Sequence, residues 1–226
     1  MSITLLGHTK GGEGKTTVAV QLAFSLAEQG KDVLLVNGDR QRSANRAVER
    51  HTDAGTQPPV TFAHYPEGKD LSTQVLRLRE KFDEVVIDAG GRDSSALRAA
   101  MLIADVMIIP VTPATFGSDA IEDELLPLIH DVQTLRGDNP LPIYSFLNKA
   151  QPLRRHPVTK ELVDPADNVA TDAYLQSIEE VQHLGARLVE RNAIGDAAAL
   201  GVSTKCYRPR DVQAIAELDA LMSVVF

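Results

Sequence analysis

The densest run of chemistry-bearing residues is Lys10-Gly11-Gly12-Glu13-Gly14-Lys15-Thr16-Thr17. Glycines at 11, 12 and 14 let successive backbone N–H groups turn toward one point without Cβ clashes, an arrangement that cradles a phosphate. Lys15 would then reach the β- and γ-phosphates of a nucleotide, and the Thr16 hydroxyl would ligate Mg²⁺. The flanks suit this reading. An apolar run at 3–6 predicts a short buried strand, and Val18, Val20, Leu22, Ala23, Leu26 and Ala27 recur at helical spacing behind the loop. Strand, glycine loop and helix, in that order, are what a phosphate-binding loop requires. The pattern departs from G-x-x-x-x-G-K-[ST] at its first position, where Thr9 stands for glycine, and a second lysine, Lys10, opens the loop.

Carboxylates follow at the ends of apolar runs. Phe82-Asp83-Glu84-Val85-Val86-Ile87-Asp88 predicts a buried strand ending in an acid, the pattern that meets Mg²⁺ through water when a phosphate loop lies upstream. A buried parallel strand over 32–37 leads to Gly38-Asp39-Arg40-Gln41, which a doubly wound sheet would bring beside the loop. Asp39 is then either part of the phosphate site or a strand-end or helix N-cap residue. After Asp88 comes Ala89-Gly90-Gly91-Arg92-Asp93-Ser94, whose two glycines free the backbone to approach a γ-phosphate and to change conformation on hydrolysis.

The elements that must position these groups are legible from period and punctuation. A polar helix is predicted over 43–51, a turn-rich loop over 53–59, a short strand over 60–63 and an amphipathic helix over 71–79. A buried strand over 104–111, a turn over 113–117 and a long helix over 120–135 with Pro127 placed to kink it come next. A core strand over 142–148 ends in Asn148. The stretch 149–167 reads as an exposed basic loop, followed by a helix over 172–182, a last strand over 187–190 and a closing helix over 211–222. Apolar strands alternating with helices predict the α/β class: a doubly wound, mostly parallel sheet flanked by helices, as a single domain over 1–226.

Composition narrows the function classes. At 226 residues with 43% hydrophobic and 24% charged residues, the chain is an ordinary globular one with a substantial core. A net charge of −8 argues against a protein that is basic all round, and leaves room for a local basic patch. Cys206 is the only cysteine, so no intrachain disulfide forms and a reducing cytoplasm fits. No apolar run reaches the length of a membrane span, and a first strand starting at residue 3 carries the expectation of no signal peptide.

The K-G-G-x-G-K-T loop resembles the deviant Walker A motif of the ParA/MinD family of ATPases. The resemblance continues from residue 3 to about 201. Asp39 and Gln41 match the D-x-D-P-Q of the family's switch I, with Asn37 in place of the first aspartate and Arg40 in place of proline. Residues 89–94 resemble switch II of plasmid ParA-like proteins. Residues 104–111 with Pro113, and Arg191-Asn192 with Asp196-Ala197 and Gly201, follow later family segments. Asn148 matches an asparagine that the family often places on the adenine edge, a strand-end turn being the other reading.

The resemblance implies ATP and Mg²⁺ as cofactors and a weak, partner-stimulated ATPase. Lys10, Gly11, Gly12, Glu13, Gly14, Lys15, Thr16, Thr17 and Asn148 would bind nucleotide, and Thr16, Asp39 and Asp88 would surround the metal. Lys10, Lys15 and Asp39 would be catalytic, with Asp39 positioning the attacking water. Lys10 would reach the phosphates of the second subunit in an ATP-sandwich homodimer, offsetting charge in the transition state. Gly90, Gly91 and Arg92 would form switch II, Arg92 either sensing phosphate, docking a partner or standing as a plain loop arginine.

With no helix-turn-helix before the first strand, the chain resembles the short ParA type. That type implies plasmid or chromosome partition in the cytoplasm on the nucleoid. The ATP dimer would hold double-stranded DNA nonspecifically and leave it when a small centromere-binding, ParB-like adaptor stimulates hydrolysis. The candidate phosphate contacts are Arg154, Arg155, Lys160, Arg187, Arg191, Lys205, Arg208 and Arg210, the plainer reading being scattered solvated cations.

The main alternative is a ParA-like ATPase that positions a protein cargo or serves conjugative transfer. A MinD-like membrane ATPase would end in a basic amphipathic helix, whereas no Lys or Arg follows Arg210. An iron–sulfur carrier needs paired cysteines. A non-enzymatic DNA-binding module would need an inactive ATP site, against the presence of Lys15, Thr16, Asp39 and Asp88.

Overall fold

Strands that are apolar at nearly every position must be covered on both faces. The computed structural model, which describes residues 2–40, 43–113 and 120–226, achieves this with one seven-stranded, wholly parallel sheet. Gln41 and most of the turn predicted over 113–117 lie outside the described residues. The strands are β1 (Ser2–Leu6), β2 (Val33–Asn37), β3 (Thr61–His64), β4 (Glu84–Asp88), β5 (Val106–Val111) and β6 (Ile143–Ala150). A separate antiparallel pair, β7 (Arg154–Arg155) and β8 (Leu162–Val163), precedes the final strand β9 (Gln182–Val189). The sheet order is β3-β2-β4-β1-β5-β6-β9.

Helices cover both faces. Those on the first face are α1 (Lys15–Glu28), α2 (Ser43–Asp53), α7 (Asn192–Leu200) and α8 (Val212–Val225). They pack Leu22, Phe24, Val48, Ile194 and Leu218 against Leu6, Leu35, Val86 and Phe146 of the strands. On the second face, α3 (Gly68–Leu78), α4 (Ser95–Ile103), α5 (Leu126–Arg136) and α6 (Ala166–Gln176) bury Leu71, Leu97, Ile129 and Leu175 against Leu5, Val36, Ile87 and Ile109. Alternate strand residues thus enter opposite cores, as the two-residue period of a strand demands.

Topology gathers the chemistry. The central β1 has β4 on one side and β5 on the other, so the connections reverse direction at its carboxyl end, where a doubly wound sheet opens a crevice. Register then puts Leu6 opposite Asp88 and Asp88 opposite Asn37, three strand ends in one row.

Four expectations need correction. The helix predicted over 172–182 is α6 at Ala166–Gln176: Pro165 sets the backbone just before its first turn and Asp167 suits the positive end of its dipole, whereas Gln182 already pairs with Tyr144 in the sheet. The last strand accordingly starts at Gln182 rather than 187. The basic loop over 149–167 contains the β7–β8 hairpin, and 192–200 forms α7, whose Gly201 terminates it at φ 73°. The long helix is a π-helical turn, Ile121–Leu125, running directly into α5, so Pro127 falls within a continuous helical stretch and the wider turn before it accommodates the N–H that proline lacks.

Candidate nucleotide-binding site

The glycine loop joins β1 to α1 with Gly12 at φ 87° and Gly14 at φ 83°, left-handed conformations that put the first N–H groups of α1 toward one side. No acid stands in the first turn of α1 to oppose an anion. A Cβ on Gly14 would lie 2.3 Å from Asn148 Nδ2, so only glycine fits. The loop is held from below by the end of β6: Asn148 Nδ2 donates to the Glu13 carbonyl at 2.6 Å, and Lys149 Nζ to the Gly12 carbonyl at 2.8 Å. Asn148 Nδ2 is thus engaged by the loop backbone.

Both loop lysines are engaged locally. Lys15 Nζ donates to the Lys10 carbonyl at 2.8 Å, and Lys10 Nζ pairs with Glu13 Oε1 at 3.0 Å. Burial pulls the Lys15 pKa down, opposed by Asp88, Glu13 and Asp39. Burial alone would raise that of Glu13, but the Thr112 N–H, which donates to Glu13 Oε2 at 2.6 Å, and the Lys10 ammonium hold it below the usual carboxylate value. His8 is buried, which lowers its pKa to about 4 against the pull of Glu13. Its Nδ1 accepts from the Lys10 N–H at 3.0 Å, consistent with a neutral ring.

Asp88 sits at the carboxyl end of β4, 1% exposed, and neither of its oxygens has a hydrogen-bond partner. Thr16 is close enough to pull the carboxyl's pKa down but completes no hydrogen bond within normal geometry. Burial dominates and pushes the pKa up to about 7, with Asp39 adding to the rise. An orphaned buried carboxylate beside a threonine hydroxyl and a second carboxylate is a hard-oxygen donor set that fits Mg²⁺. Among the described residues no cluster of three or more His, Cys, Asp or Glu side chains that could hold a metal ion is present.

Asp39 is placed by the residue that departs from the family pattern. Asn37 Oδ1 accepts from the Asp39 N–H at 2.7 Å, while Asn37 Nδ2 donates to Asn45 Oδ1 on α2 at 2.7 Å. An ionised aspartate at 37 could not donate to Asn45. Arg40 pairs with Glu67 at 2.8 Å in solvent. Gly90 and Gly91 bring the backbone that follows β4 against the loop: a Cβ on Gly90 would lie 2.9 Å from Asp39 Cγ, and one on Gly91 3.1 Å from Gly11 N. Arg92, at φ 107°, is exposed at the edge of the same space.

These residues border a cleft of about 1120 Å³ lined by Gly11, Gly12, Gly14, Lys15, Thr16 and Thr17, with Asp39 and Gly90–Arg92 opposite. Sequence reasoning missed its outer wall, Arg46 and Arg50 of α2 with Ala198 and Ala199 of α7. Arg50 Nη1 donates to the Ala199 carbonyl. The available signal was the i, i+4 spacing of two arginines just after switch I.

The eight candidate DNA contacts divide. Arg154, Arg155 and Lys160 stand exposed on the β7–β8 hairpin, and Arg208 and Arg210 in the segment before α8. Arg187 is clasped by Asp164 and Asp172, Arg191 by Glu217 at 3.0 Å and Asp211 at 3.9 Å, and Lys205 by Asp219 at 2.8 Å. These three pair with the fold's own carboxylates.

Residues 5–201 match the family described as CobQ/CobB/MinD/ParA nucleotide binding domain. The maintenance of carboxysome distribution protein A of Halothiobacillus neapolitanus is 25% identical over 224 residues, covering 97% of this chain and 94% of that protein. Its namesake in Gloeobacter kilaueensis is 40% identical over 106 residues, a match that spans 46% of each chain. Apo McdA of Cyanothece shares the fold with a TM-score of 0.80 at 15% identity over the whole of both chains, and its ATP complex does so with 0.73 at 15%, over 98% of this chain and 96% of that one. Given the parallel sheet, the glycine loop at its switch point and this match over most of its length, the chain belongs to the CobQ/CobB/MinD/ParA nucleotide-binding family and, by its deviant Walker loop, is an ATPase of the ParA/MinD type.

Proposed function

We propose that the protein is an ATP-dependent dimerising switch that distributes a protein cargo, binding DNA nonspecifically in its ATP state and leaving it on hydrolysis. Cargo positioning, the alternative in the sequence reading, is preferred to plasmid or chromosome partition on one observation. A relative matched over nearly the whole of both chains is a carboxysome distribution protein. The exposed cations Arg154, Arg155, Lys160, Arg208 and Arg210 support DNA as the track in either case. Among the described residues no helix is long and apolar enough to cross a membrane.

In this reading the triphosphate enters the loop and Lys15 exchanges the Lys10 carbonyl for phosphate oxygens. Thr16, Asp88 and Asp39 hold Mg²⁺, which when bound neutralises charge on the β- and γ-phosphates. Asp39, fixed by Asn37, orients the attacking water. Lys10 crosses to the partner's phosphates, and the Gly90-Gly91 backbone reports the loss of the γ-phosphate. Release is timed by a small adaptor that stimulates hydrolysis.

The test is co-sedimentation with nonspecific DNA under ATP, ADP and no nucleotide across a salt series. DNA should be retained with ATP alone. Lys15→Ala should lose nucleotide and DNA together, and Asp39→Ala should bind both without turnover. Equal DNA retention in all three nucleotide states, or full turnover by Asp39→Ala, refutes the switch. Deleting the gene in its host separates cargo from replicon: scattered or clumped protein bodies support the reading, and plasmid loss alone supports partition.

A further inference from the structure

Lys10 is held at three points, and the three differ in what nucleotide does to them. Its N–H donates to His8 Nδ1 at 3.0 Å, its carbonyl accepts from Lys15 Nζ at 2.8 Å, and its ammonium pairs with Glu13 Oε1 at 3.0 Å. Glu13 is itself immobile. Its side chain is 4% exposed against 38% for Lys10, its Oε2 is pinned to the Thr112 N–H at the end of β5, and its carbonyl is pinned by Asn148. The ion pair therefore joins a fixed carboxylate to the one flexible partner, a four-carbon stem that opens toward solvent.

We propose that Glu13 is a positioning residue that keeps Lys10 on its own subunit until a triphosphate offers a stronger site across the dimer. The proposal rests on the reading that Lys10 acts across that dimer. When phosphate draws Lys15 away, the Lys10 carbonyl loses its donor, and the Glu13 carboxylate remains as the charge with which a partner's nucleotide must compete. One carboxylate loses that competition to a triphosphate more readily than to a diphosphate, because the attraction grows with the charge presented to the ammonium. Glu13 thereby sets how sharply dimerisation distinguishes ATP from ADP. Conversely, a chain without this charge would have Lys10 loose at all times and would pair more readily with either nucleotide.

The experiment is sedimentation velocity of the full chain with a non-hydrolysable ATP analogue and with ADP, comparing the parent, Glu13→Gln, Lys10→Ala and the double variant. Glutamine keeps an acceptor for the Thr112 N–H and removes the charge. Glu13→Gln should lower the protein concentration for half-dimerisation by roughly three- to tenfold, the scale of a partly exposed ion pair, and should make a dimer visible with ADP. The double variant should behave as Lys10→Ala. Glu13→Asp, which keeps the charge one methylene further away, should fall between parent and Glu13→Gln and serves if the glutamine variant folds poorly. Dimerisation unchanged in Lys10→Ala removes the reading that Lys10 crosses the dimer. Dimerisation lost in Lys10→Ala but unchanged or weakened in Glu13→Gln, or an ATP-to-ADP ratio that stays at the parental value, overturns the role of Glu13 alone.

Discussion

Replacing Asp88 with asparagine should stabilise the nucleotide-free protein while destroying its response to magnesium and ATP. Burial lifts the Asp88 carboxyl from 3.8 to about 7. A gap of about three units, at about 1.4 kcal/mol each, is about 4 kcal/mol acting against the folded state once the carboxyl is ionised in both states. The folded carboxyl is the tighter proton binder, so its favourable contribution is complete below about pH 4 and is lost as pH rises through about 7. Asparagine removes the charge, but it leaves a buried amide where neither Asp88 oxygen has a hydrogen-bond partner, which gives back about 1–2 kcal/mol. A net gain of about 2–3 kcal/mol at pH 8 corresponds to about 5–10 °C in Tm for a chain of this size. Thermal melts in EDTA at pH 8 and pH 5, repeated with Mg²⁺ and ATP, decide the matter. Asp88→Asn should melt higher than the parent at pH 8, the gap should shrink at pH 5, and added Mg²⁺–ATP should raise only the parent. A variant that melts below the parent at pH 8, or a gap indifferent to pH, would refute the account of Asp88 as an uncompensated buried charge.

Three further outcomes follow from named contacts. Gly14→Ala must place a Cβ 2.3 Å from Asn148 Nδ2 in a left-handed conformation, and should cost at least about 2 kcal/mol in urea unfolding. Adding Asn148→Ala should recover the steric part, and no recovery would mean that the clash is not the cause. Arg187→Ala should leave Asp164 and Asp172 without their shared cation, lowering stability by about 2 kcal/mol with DNA retention unaltered; a loss of DNA binding at full stability would return Arg187 to the interface. The Arg154→Ala, Arg155→Ala double variant should instead keep its Tm and flatten the salt dependence of DNA binding by a slope of about 2. An unchanged slope would take the hairpin out of the DNA contact.

Much of the nucleotide site was legible because its determinants are local. A phosphate loop is built from consecutive residues whose glycines and lysine act where they stand, and residues 10–17 sit as their spacing implies. Asp88 was legible as the polar end of an apolar strand, and the two-residue and 3.6-residue periods located most of the main sheet's seven strands and the eight α-helices among the described residues. The helix over 172–182 went astray because its start depends on Pro165 and its end on the pairing of Gln182 with Tyr144, 38 residues away in the chain.

What the sequence by itself determined is the glycine loop, the acid that ends its neighbouring strand and the doubly wound class, since each follows from neighbours along the chain. Only the tertiary structure decided which charges remain available. Arg187, Arg191 and Lys205 look like Arg154 and Arg155 in sequence, yet carboxylates brought in from elsewhere in the chain neutralise them. Likewise Asn148 is bound to a loop 135 positions earlier, and Lys10 is held by a glutamate whose fixity comes from Thr112, just past the end of β5. Backbone and charge partners across the sheet are set by register and topology, and a side chain's freedom to act depends on them.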